Sequence, residues 1–116
     1  MPKFNLLALT NPVEGREDEF NDWYTNVHLA DVLKLPGVVA AQRFVLNDKQ
    51  HRAPPFDWKY LAVYEIDIDD VQTTLMALKA ASGTEAMPLS PALSDERMVW
   101  IYRPITGRVT TNAEGA

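Results

Sequence analysis

Apolar positions fall into short runs and two stretches of helical spacing. Residues 3–10 (KFNLLALT) read as a strand ended by Asn11-Pro12. Residues 16–35 follow with a helical period and stop at Pro36-Gly37, where Pro cannot continue the hydrogen-bond ladder and Gly tolerates a left-handed turn. Glu14, Glu17, Asp18, Glu19 and Asp22 crowd the start of this helix. The helix dipole favours negative charge there, so solvated first turns explain the cluster better than a metal site. Residues 38–46 (VVAAQRFVL) and 59–66 (KYLAVYEI) read as the second and third strands. Asp69 with Gln72 resembles a capping box, which predicts a second helix over residues 70–82 with Val71, Leu75 and Leu78 facing inward. Residues 97–103 (RMVWIYR) form the last strand.

The order β-α-β-β-α-β is that of the split βαβ unit, an α+β, ferredoxin-like arrangement with a four-stranded antiparallel sheet. It predicts one domain over residues 1–105 and a polar C-terminal tail over 106–116. The connections 47–58 and 83–96 are long for such a fold, and long loops often serve as lids or partner contacts. A sheet with helices on one face should show water-facing polar residues on the other. Here both parities are apolar: Leu61 and Val63 against Tyr60, Ala62 and Tyr64; Val99 and Ile101 against Met98, Trp100 and Tyr102. The open face therefore needs a cover, and a second copy packed across a two-fold axis supplies one, which predicts a homodimer.

Charge and composition narrow the function classes. A formal net charge of -5 argues against nucleic acid and against anionic membrane surfaces, both of which select clustered Lys and Arg. The chain has no cysteine, so disulfides, thiolate metal sites and a Cys nucleophile are excluded. With His28 and His51 as the only histidines, a three-His metal site is impossible within one chain, and no metal is expected. No signal-peptide pattern or apolar run of membrane-spanning length is evident, so a cytoplasmic location is expected.

At about 100° per residue the first helix places Phe20, Tyr24, Val27, Asp31 and Leu35 on one stripe, flanked by Trp23 and His28. A carboxylate on a core-facing stripe must be paired, hydrogen-bonded or protonated. Tyr24, His28 and Asp31 are therefore a candidate polar cluster at the edge of an apolar cavity, with His28 expected within hydrogen-bond reach of Asp31 or Tyr24. The other reading is a satisfied structural histidine and an Asp31 paired with Lys34.

The run from Phe20 to Val38, with Trp23-Tyr24, His28, Asp31 and then Pro36-Gly37, resembles the first helix of EthD-like proteins of the dimeric α/β-barrel superfamily. The resemblance implies a ferredoxin-like protomer, back-to-back sheets in a homodimer and a cavity between sheet and helices. Relatives across that superfamily include cofactor-free cyclases, lactone isomerases, and haem-degrading and quinol monooxygenases, so the reaction stays open.

Trp58, Tyr60, Tyr64, Trp100 and Tyr102 could line an aromatic pocket or serve as core and interface. Arg43 and Glu65 lie in adjacent predicted strands, and either pair across them or, in the case of Arg43, anchor a polar substrate group. The candidate substrate contacts are then Trp23, Phe20, Tyr64, Trp100 and Arg43. The leading expectation is a small cofactor-free enzyme moving protons on an aromatic or polyketide-like molecule (cyclisation, isomerisation or lyase chemistry). His28 would be the acid–base, Asp31 its orienting group and Tyr24 an oxyanion donor. The alternatives are a non-catalytic protein binding a small apolar molecule in the same cavity, and a haem-linked or quinol monooxygenase.

Overall fold

The structure, a computed structural model, describes residues 2–111. Strands β1 (Phe4–Pro12), β2 (Val38–Val45), β3 (Tyr60–Ile66) and β4 (Leu93–Tyr102) form one antiparallel sheet in the order β2-β3-β1-β4. The first helix comprises α1 (Glu17–Trp23), a π-helical turn (Tyr24–His28) and α2 (Leu29–Leu33); α3 (Val71–Ala81) follows β3. This is the expected ferredoxin-like topology. Residues 103–111 carry no helix or strand, and 112–116, the rest of the expected tail, lie outside the described residues.

The pleat decides what is buried. Leu6, Ala8 and Thr10 of β1 and Tyr60, Ala62, Tyr64 and Ile66 of β3 all point to the helices and are buried. Phe20, Tyr24 and Val32 close over them, with Val71, Leu75 and Leu78 of α3 at the margin. Fully burying side chains such as Phe20 and Ile66 stabilises the fold by about 1.5–3 kcal/mol each. The opposite row is apolar as well: Phe44, Met98 and Trp100 are exposed there.

Gly37, in the turn between the first helix and β2, has φ +82°, and a Cβ at that position would lie 2.8 Å from Cβ of Ile68. Both the left-handed backbone and the close approach require glycine. The Thr74 hydroxyl donates to the carbonyl of Pro36 at 2.6 Å, tying α3 to the same corner.

Two boundaries and one pairing differ from expectation. The cap of α3 is Asp70, whose carboxylate accepts from the Gln72 N–H at 3.0 Å; Asp69 instead pairs with Lys3. β4 begins at Leu93 rather than at 97, because Pro12 on the extended β1 pairs with Leu93 beyond a register shift. The polar Ser94-Asp95-Glu96 sit on an edge strand, where charge is tolerated and masks strand character. Arg43 and Glu65 do not face each other: Glu65 pairs with Ala40 and Arg43 with Ala62, which puts the two side chains on opposite faces.

Candidate functional site

The site is built on the π turn. Tyr24 O accepts from the Leu29 N–H, an i to i+5 bond in place of i to i+4. A π turn spends one more residue on the same revolution, so every later position moves back by one on the helical wheel. Val27, expected inward, is 41% exposed, while Val32 is 4% exposed and takes the core position expected for Asp31. The inward row becomes Phe20, Tyr24, His28 and Val32, and His28 moves from flank to interior.

His28 lines a cavity of about 120 Å³ between the sheet and the helices. An apolar cavity of about 150 Å³ holds a benzene-sized molecule, so the enclosed space fits about one ring. Most of the wall is aliphatic, from β1, the first helix and α3. The segment between α3 and β4 closes one side: Leu89 joins the lining, Met87 and Ala92 are buried, and the Trp23 indole N–H donates to the Pro88 carbonyl at 3.2 Å.

The His28 ring stacks on Trp23, with centroids 4.6 Å apart and planes at 27°, and meets Tyr24 edge-on at 4.9 Å. Burial pushes its pKa down to about 4, the field of Asp31 opposing this and those of Arg97 and Arg43 adding to it. The imidazole is therefore neutral at pH 7. Its Nδ1 is buried without a hydrogen-bond partner, and so is Oδ2 of Asp31. The expected hydrogen bond from His28 to Asp31 or Tyr24 is thus not formed; Tyr24 offers the imidazole its ring, not its hydroxyl. Asp31 is not part of the cavity lining, and its Oδ1 meets the exposed Lys34 Nζ at 3.8 Å, a long contact that contributes little. Leaving a buried polar atom unpaired costs about 1–3 kcal/mol, and the His28 Nδ1 and Asp31 Oδ2 are two such atoms.

Tyr24 and Tyr64 both line the cavity. The Tyr64 hydroxyl donates to the Tyr24 hydroxyl at 3.2 Å. Burial raises the pKa of both phenols, so both stay protonated and the Tyr24 proton remains available for a third group.

The remaining candidates are placed differently. Phe20 is wholly buried core beneath the cavity and is not part of its lining. Trp100 projects from the other face of the sheet, 51% exposed, because its partner Leu7 belongs to the open row. Arg43 faces the helices outside the cavity: it donates to Asn21 Oδ1 at 2.9 Å and Thr25 Oγ1 at 2.8 Å and lies 4.5 Å from the centroid of Tyr24. That position makes it a brace for the aromatic cluster. The wall residues that pattern reading passed over are Thr10, Leu89 and Arg97. Arg97 was legible in part, because it shares its parity with Val99 and Ile101.

Among the described residues, no group of three or more His, Cys, Asp or Glu is placed to hold a metal ion, and no helix is long and apolar enough to cross a membrane.

No family model matches the chain. In structure it is similar to an ethyl tert-butyl ether D (EthD) family protein from Bacillus halodurans C-125, with a TM-score of 0.61 and 19% identity over 89% of this chain and 99% of that one. The fold is EthD-like. In sequence, 63 residues, 53% of the chain, are 38% identical to "Core atranone cluster (CAC) protein 1" of Stachybotrys chlorohalonatus (strain IBT 40285). The matched stretch spans about a quarter of that relative's length.

Proposed function

We propose that this protein is a cofactor-free acid–base enzyme that moves a proton on a small aromatic or polyketide-like molecule held between the first helix and the sheet. The observation that carries the reading is His28: a neutral imidazole, stacked on Trp23 in an apolar cavity, with an unsatisfied Nδ1. An EthD-like fold and a relative named for the core atranone cluster fit a protein concerned with a small molecule.

In this reading His28 holds its proton on Nδ1, and Nε2 takes a proton from a carbon acid next to a carbonyl. As His28 becomes cationic, the Asp31 carboxylate stabilises it; its field already favours the charged imidazole. Tyr24, its hydroxyl polarised by the Tyr64 hydrogen bond, donates to the enolate oxygen that forms. Returning the proton to a different atom gives isomerisation, and attack of the enolate on a second carbonyl gives cyclisation.

The reading is tested without knowing the natural substrate. Exchange of the α-protons of an aromatic 1,3-diketone in deuterated water, followed by NMR, should be faster with the protein present. His28→Ala should reduce the catalysed rate by about 10²–10⁴-fold. Binding of the diketone with no catalysed exchange would instead favour a non-catalytic binding protein.

We further propose that two copies pair through the open sheet face, in the cytoplasm. The face suits its own two-fold copy because its rows are apolar and nearly uncharged: Leu7, Phe44, Leu61, Val63, Met98 and Trp100 lie on it, with Glu65 towards one end. A face that repels no copy of itself, and would otherwise leave apolar surface in water, is suited to isologous contact.

A further inference from the structure

Arg97 lies on the helix-facing row of β4. Its register partner is the buried Thr10, and the next positions of that row, Val99 and Ile101, lie opposite Ala8 and Leu6. A side chain on such a row is normally apolar or, if charged, paired. Arg97 is neither. Among the described residues its guanidinium makes no hydrogen bond or ion pair, in a chain where Asp and Glu total 16 against 11 Lys and Arg. Arg43, on the helix-facing row of β2, donates to Asn21 and Thr25 and is held by them.

Arg97 is also the one charged side chain among the described residues that line the cavity. It is exposed, as are Val99 and Ser82 of the same lining, so these mark where the cavity meets solvent. The inner wall is uncharged and carries Tyr24, His28 and Thr10 as its polar groups near that end. The field of Arg97 reaches the site: it lowers the pKa of both His28 and Tyr24. A free guanidinium at the mouth of an apolar pocket offers paired N–H donors to a planar anion, and no carboxylate of the lining competes for it.

We propose that Arg97 sets the specificity of the cavity, and that the molecule bound there is an aromatic acid whose ring fills the apolar space and whose carboxylate pairs with Arg97 at the mouth. This rests on the cavity being the site of action, and it adds the charge of the substrate. Arg97 touches the carboxylate and takes no part in the proton transfer assigned to His28.

The probe pair is 3-phenylpropionate and its primary amide, equal in size and differing in charge, titrated against the protein and followed by NMR at the Trp23 indole N–H. The acid should bind at least about tenfold more tightly than the amide, the usual worth of a charge-assisted hydrogen bond. Arg97→Gln should remove the preference by weakening the acid and leaving the amide unchanged. Arg97→Lys should keep part of it, since a point charge replaces a fork. Equal binding of acid and amide to the wild type, or a preference that survives in Arg97→Gln, would overturn the role of Arg97 and leave the cavity reading standing. Failure of both probes to perturb the Trp23 indole would overturn the cavity reading along with it.

Discussion

Trp23 and His28 stand five residues apart on one helix and yet stack, their ring centroids 4.6 Å apart. On an α-helix such a pair would diverge, because neighbours on its surface are three or four residues apart. The π turn over Tyr24–His28 brings them into register. A local departure from regular helix thus creates the aromatic shelf on which the candidate acid–base residue lies, in keeping with the frequency of π turns at functional sites.

The π turn can be removed directly. Deleting the exposed Asn26 should return the segment to an α-helix. The histidine would then follow Trp23 by four residues, a spacing that keeps the two rings on one face of a regular helix. The ring stack, the catalysed proton exchange and the helical circular dichroism should therefore all stay near the wild-type level. Loss of exchange in a folded deletion variant would show that the site needs the π turn itself and not only the stack.

The pKa of His28 dictates a pH profile. With a value near 4 in place of 6.5, the imidazole stays in its basic form across neutral pH. The catalysed exchange rate in the free protein should be flat from about pH 8 down to about pH 5 and fall below that. A rate that halves near pH 6.5 would mean that His28 is hydrated and cationic in acid, contrary to its burial.

The same shift is a statement about stability. The unfolded chain takes up the His28 proton near pH 6.5, the folded chain only near 4. The unfolded state therefore binds more protons between those values, and stability is lost as pH falls through that window. The contribution is about 3 kcal/mol once pH is below both values. Urea midpoints at pH 7.5 and 4.5 should drop further for the wild type than for His28→Gln, which has no imidazole to titrate.

Gly37→Ala should destabilise the protein by about 1–3 kcal/mol, from the left-handed backbone and the crowding of Ile68 together. Chemical denaturation measures this directly, and Ile68→Ala in the same chain should not recover the loss, because the Cβ that crowds position 37 stays in place.

If the open sheet face carries a second copy, Val63→Lys, near the middle of that face, should yield a soluble monomer in light scattering where the wild type is a dimer. An obligate interface of this kind should bury more than about 1,000 Å². A monomeric wild type at micromolar concentration would exclude the arrangement.

Strand and helix order was legible in the sequence because it rests on local physics. The apolar runs near Leu6, Ala41 and Tyr64, the stop at Pro36-Gly37 and the period of Val71, Leu75 and Leu78 each follow from a few neighbouring residues. Together they suffice for the ferredoxin-like order, and the helix motif made Tyr24, His28 and Asp31 candidates. What the sequence could not convey was the phase of the helix and the pairing of the strands. A wheel at constant pitch has no place for a π turn, so it set Asp31 and Val27 inward where the fold sets Val32 and His28. Strand parity tells which residues share a face, but only the register with Thr10, Ala8 and Leu6 tells that Arg97 faces the helices and Trp100 faces away. The cavity belongs to no single element: it is the space that β1, β3, β4, the first helix and α3 leave when they pack, and its size and its one charge follow from their tertiary arrangement.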